Sequence, residues 1–164
     1  MPLPRVTGAC VIILAAAAAR ADELPKQTVL PAAMAADAVQ AAVAACAKQG
    51  QRVSAAVVDQ GGNLRALLRG DGAGPHTVDS SSRKAYTANT LRTSTLDLTK
   101  KAAGSPELTD LRRMNEHILL LGGGLPIKAG DEVIGAIGVG GTPSEEMDEG
   151  CARSGLERIQ DRLR

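Results

Sequence analysis

The chain has 164 residues, enough for one domain with a buried core. A formal charge of +1, from 19 basic and 18 acidic side chains, offers no electrostatic footprint for nucleic acid, and no stretch after the first residues is apolar and long enough for a membrane helix. With no Phe, no Trp and one Tyr, Tyr86, the core must be built from Ala, Val, Leu and Ile, which removes large aromatic contributions and favours added staples such as oligomerisation or a disulfide.

The first segment reads as a secretory signal peptide. Arg5 supplies a positive charge, Val11–Ala19 is a short apolar run, and Ala19-Arg20-Ala21 has the small-x-small pattern of a cleavage site before Asp22. Cys10 precedes the apolar run, which is the wrong order for a lipoprotein site. The expected arrangement is a leader over 1–21 and a single domain over 22–164, secreted or periplasmic. Loss of the leader removes Arg5 and Arg20 and no acid, so the formal charge passes from +1 to −1. Cys46 and Cys151 remain, without C-x-x-C spacing, and in an oxidising compartment such a pair favours a disulfide. The alternative is two buried thiols on separate helices.

Pro31 opens the first helix, expected over 32–49, where Ala35, Val39, Val43 and Cys46 share one face and Gly50 ends it. Val53–Asp59 is a strand: Val53, Ala55 and Val57 face one way, Ala56 and Val58 the other. Gln60–Asn63 turns the chain into a second strand over Leu64–Arg69, with Leu64, Ala66 and Leu68 on one face. Gly70–Thr77 is glycine- and proline-rich and reads as a loop. A helix follows over Val78–Leu91, capped by Asp79 or Ser80, and another from Thr93 or Ser94 to Lys101. Glu107–Glu116 is expected to be helical and His117–Leu121 a short strand or the approach to one.

Gly122–Gly141 organises the rest. Leu125 and Ile127 alternate, Lys128–Asp131 turns, and Val133–Val139 is a near-continuous apolar run broken by Gly135 and Gly138, as in a strand covered on both faces. Thr142-Pro143-Ser144-Glu145 then reads as a helix start, with Thr142 as cap, and Met147, Cys151, Gly155, Ile159 and Leu163 form a stripe. Two hairpins separated by helices make an α+β fold with a five-stranded, mainly antiparallel sheet and flanking helices. Cys46 and Cys151 lie on the apolar stripes of the first and last helices, so they meet if both helices cover one face.

Candidate chemistry is sparse. His76 sits in the Gly/Pro-rich loop, where ligand-holding groups concentrate, although a solvent-exposed loop histidine is the plain alternative. His117 reads as a structural histidine at a helix end or strand edge. Arg69, Arg83 and Lys84 flank the His76 loop and are available to a carboxylate, or form an ordinary solvated face. The clusters Gly122–Gly124 and Gly138–Gly141 match no phosphate-binding spacing and read as turns and close packing. Glu145, Glu146, Asp148 and Glu149 form an acidic first turn, favoured by the helix dipole and at most a weak metal site. Ser80–Ser82 lie near His76 without a nucleophile motif.

In order along the chain, VSAAVVD (53–59), LRGDGAGPHT (68–77), RKAYTA (83–88), GGGLPI (122–127) and IGAIGVGG (134–141) resemble the GlcG/HbpS family of haem-binding proteins. The resemblance implies a profilin-like sandwich around a five-stranded antiparallel sheet, homo-oligomers, and haem or a similar flat anionic molecule as ligand. Members are described as binding haem, some as degrading it or sensing redox stress. Haem ligation is not uniform across such proteins, so His76 stands as the candidate iron ligand, with Arg69, Arg83 or Lys84 near the propionates. The leading expectation is an exported haem-binding protein. The alternatives are an enzyme that degrades haem or handles a small acid in the same loop pocket, and an oligomeric interaction module without haem.

Overall fold

The structure, a computed structural model, describes residues 1, 24 and 26–163. Apart from Met1, the leader expected over 1–21 lies outside the described residues. The elements run α1 (Ala32–Ala47), β1 (Ser54–Asp59), β2 (Leu64–Arg69), α2 (His76–Leu91), α3 (Thr95–Ala102), α4 (Pro106–Asp110), β3 (Gly124–Ala129), β4 (Glu132–Gly140) and α5 (Glu145–Ile159), with short 3-10 turns at Leu111–Arg113 and Gln160–Arg162.

The strands form one antiparallel sheet in the order β2-β1-β4-β3. The fold is therefore the expected α+β class with an antiparallel sheet and flanking helices, but it has four strands among the described residues, not five. The segment 117–121 spends its backbone groups elsewhere. His117 N donates to Asn115 Oδ1, Ile118 N to Asn115 O, Leu119 N to Thr87 Oγ1 and Leu121 N to Leu119 O, so these turn and side-chain bonds leave no ladder to build. The helix expected over 107–116 likewise stops at Asp110 and tightens into a 3-10 turn.

Helices cover the sheet on both sides. On one side α1 and α5 pack over Ala55, Val57, Leu125, Ile127, Ile137 and Val139. Most of these are fully buried aliphatic chains, each contributing about 1.5–3 kcal/mol relative to exposure. Small residues bring the two helices together: a Cβ on Gly155 of α5 would lie 2.6 Å from Ala38 O of α1. In that interface Cys46 and Cys151 are joined by a disulfide, with Cα atoms 5.6 Å apart.

On the other side α2 lies across β1, β4 and β3, where Val58, Ala85, Ala88 and Ala136 form a second small cluster. The helix begins at His76, two residues before the expected start. Pro75 supplies a helical φ of −61°, and Thr77 Oγ1 donates to Gly74 O at 2.6 Å, so the end of the expected loop is already the first turn. At the other end of the chain Ser144, not Thr142, caps α5, its Oγ accepting from Met147 N at 3.2 Å. Thr142 instead donates its hydroxyl to Ser144 O and its N–H to Asp148 Oδ1.

Candidate functional site

The outward face of α2 and the strand beside it form an open groove of about 490 Å³. Pro75, Val78, Asp79, Ser82, Arg83 and Tyr86 recur at helical spacing, so one stripe of α2 makes one wall. The opposite wall is apolar and depends on an irregularity. Val57 pairs with Ala66 but Val58 pairs with Leu64, which leaves Arg65 as an extra residue in β2. The bulge turns Leu64 to the same side as Leu67, and both line the groove with Val58. Simple alternation places Leu64 with Ala66 and Leu68. Arg65 points the other way, donating from Nη2 to Leu30 O at 3.4 Å.

Polar groups converge at one end. The Tyr86 ring rests on Gly62, where a Cβ would come within 2.8 Å of Tyr86 Cε2. His117 closes that end, its ring centroid 5.3 Å from that of Tyr86 with the planes tilted by 51°. His117 Nε2 lies 3.8 Å from Glu116 Oε1, and the His117 side chain is 57% exposed. Arg83 Nη2 donates to Ile118 O at 3.1 Å and Nη1 approaches Asp79 Oδ2 at 3.5 Å, while Nε is buried without a hydrogen-bond partner. A buried guanidinium N–H without an acceptor is costly unless a further group completes it. The groove thus combines an apolar wall with one imidazole, one guanidinium, one phenol, one hydroxyl and the Asp79 carboxylate, the composition of a small-molecule site.

Of the four residues singled out from the sequence, the structure brings only Arg83 to this groove. His76 is exposed at the start of α2 and folds back over Gly74, where a Cβ would lie 2.6 Å from His76 Cε1. It does not line the groove, although its neighbour Pro75 does. Arg69 donates from Nε and Nη2 to Ala73 O at 2.8 and 2.5 Å and so latches the 70–74 loop. Lys84 is buried, with Nζ 2.7 Å from Asp148 Oδ2. Successive helical residues point about 100° apart, so Arg83 faces the groove while Lys84 faces inward. Of the alternatives Arg69, Arg83 or Lys84, Arg83 is the one that lines the groove.

The acidic first turn of α5 is also used internally. Asp148 pairs with Lys84, Glu149 accepts from Ser94 Oγ and Arg153 Nη2, and Glu145 accepts from Gly122 N. Among the described residues no cluster of three or more His, Cys, Asp or Glu is placed to hold a metal ion. A second hollow, about 420 Å³ over Ala102–Asp110, offers Asp110 as its only titratable side chain. His117 is the groove residue that sequence reasoning undervalued. It reaches Tyr86 only through the tertiary fold, and the one signal available was that it is the other histidine of the chain.

Known proteins fall in line with this architecture. A Citrobacter freundii protein, described as an uncharacterized 15.0 kDa protein in the dhaT-dhaS intergenic region, is 39% identical over 102 residues, 62% of this chain and 71% of that one. The crystal structure of a Streptomyces reticuli HbpS double mutant is 41% identical with a TM-score of 0.78, covering 92% of this chain and 97% of its own. Klebsiella pneumoniae ORFY is 30% identical with a TM-score of 0.78, covering 84% and 96%. The HbpS-like family model, described as haem degrading protein HbpS-like, matches residues 30–157, and the chain belongs to this family.

Proposed function

We propose that the protein is an exported haem-binding protein that holds the macrocycle in the groove between β2 and α2. One observation carries the reading: the apolar side chains of Val58, Leu64, Leu67 and Val78 line the groove beside a guanidinium and an imidazole. A flat apolar ring with anionic substituents needs those three features together. The residues fit such a group. Leu64 is 55% exposed on the apolar wall, and the Arg83 side chain, 31% exposed, leaves part of its guanidinium open to a carboxylate. Haem, when bound, supplies iron and its redox chemistry, which the polypeptide lacks. The chain's own part is to shield one face of the ring, pair its charged edge with Arg83 and offer an imidazole. His76, the imidazole to which the sequence points, begins α2 just outside the groove, and His117 lines it. The family description adds to the support.

Haemin titration of the whole chain tests this. A saturable Soret shift is expected, about tenfold weaker in Arg83→Ala. No shift at any concentration overturns haem binding. The family description favours a second reading, breakdown of the bound haem. Loss of the Soret band with iron release under a reductant or peroxide, faster than for free haem, would support it, and a stable band would oppose it. Export is supported by the Cys46–Cys151 bridge, which belongs to oxidising compartments. Homo-oligomerisation is part of the same proposal, consistent with edge strands β2 and β3 that end the sheet unpaired. Light scattering during gel filtration reads it directly, and a monomer at all concentrations would refute it.

A further inference from the structure

We infer that His117, and not His76, is the imidazole that meets the ligand's metal. This assignment rests on the haem reading above and deepens it. His117 lines the groove, whereas His76 lies outside it over Gly74. An axial ligand must present a nitrogen lone pair at a defined position, and the backbone around His117 is held by hydrogen bonds. Its N–H donates to Asn115 Oδ1 at 2.7 Å. The next two residues are tied to α2: Ile118 O accepts from Arg83 Nη2 at 3.1 Å, and Leu119 N donates to Thr87 Oγ1 at 2.9 Å. Ile118 itself is buried, which anchors the segment.

The ring has one aromatic neighbour and an open edge. Tyr86, seated on Gly62, braces one side at 5.3 Å, and the side chain remains 57% exposed. Glu116, itself exposed, places a carboxylate 3.8 Å from Nε2. Arg83 links the two ends of the design. The guanidinium that would pair a carboxylate is bonded to the residue after His117, so the charged edge and the imidazole are set relative to each other by one side chain.

The test compares haemin with metal-free protoporphyrin IX on the whole chain and on His117→Ala and His76→Ala. Porphyrin fluorescence reads occupancy of the groove without ligation, and the Soret and visible bands read the imidazole–iron bond. For His117→Ala we expect protoporphyrin binding within about twofold of the parent, haemin binding weakened about tenfold or more, and loss of the imidazole-type bands with recovery on adding free imidazole. His76→Ala should behave as the parent. Parent-like bands in His117→Ala, or their loss in His76→Ala, overturn the assignment while leaving the groove reading intact if protoporphyrin still binds. If neither porphyrin binds the parent, the haem reading fails and the assignment fails with it. His117 is largely exposed, so its removal should leave the circular dichroism and melting temperature unchanged.

Discussion

Gly124 lies directly opposite Gly138 in the β3–β4 ladder, and the backbone of α2 rests on that pair. A Cβ on Gly138 would overlap Ser81 O and lie 2.5 Å from Ala85 N, and one on Gly124 would overlap Lys84 O. The position of α2, and with it Arg83 and Tyr86, is therefore set by two missing side chains.

Gly138→Ala should push α2 off the sheet and cost about 3 kcal/mol or more. Gly150→Ala is the matched control. Gly150 is exposed within α5, a Cβ there meets nothing within 4 Å, and gaining helix propensity should stabilise by up to about 1 kcal/mol. Urea midpoints moving in the same direction for both variants would contradict the account.

Lys84 and Asp148 form an ion pair in which both side chains are 5% exposed, and Asp148 Oδ1 also accepts from Thr142 N. Lys84→Met leaves a buried carboxylate without its cation and should cost about 3–5 kcal/mol. Adding Asp148→Leu should cost less than the two single changes summed, because no unpaired charge remains. Additive losses in a double-mutant cycle would show that the pair is not coupled.

The Cys46–Cys151 bridge closes a loop of sequence separation 105, and both residues are at most 1% exposed. Removing it with Cys46→Ala and Cys151→Ala together should lower stability by roughly 4–5 kcal/mol in the chain-entropy account. The buried sulfurs should also resist a thiol reductant until denaturant opens the α1–α5 interface. Rapid reduction of the native protein, followed by thiol titration, would argue against that burial.

Leu64 is exposed only because the bulge at Arg65 turns it outward. Leu64→Glu should change stability by no more than about 0.5 kcal/mol yet weaken haemin binding by about tenfold or more, through a polar group and a repelling charge on the apolar wall. Unchanged haemin affinity would place the ligand elsewhere.

Much of this protein was legible in its order of residues, because the relevant signals are local. The period of Ala35, Val39 and Cys46 marked α1, the alternation in 53–59 marked β1, and the glycine-broken apolar run marked β4 as a strand covered on both faces. The faces of β1 were readable too, since Val53, Ala55 and Val57 do pack together under α1.

Chain folding alone decided the rest. One inserted residue in β2 reversed Leu64, a change invisible to alternation because a bulge is defined by the partner strand. Lys84 was read as a surface cation, as most lysines are, until Asp148 met it from 64 residues away. His117 acquired a neighbour in Tyr86, and the groove they line forms where β2, α2 and the 115–119 turn converge. Secondary structure follows from the spacing of neighbours along the chain, whereas a site follows from which distant residues share one surface, and that depends on the packing of every element between them.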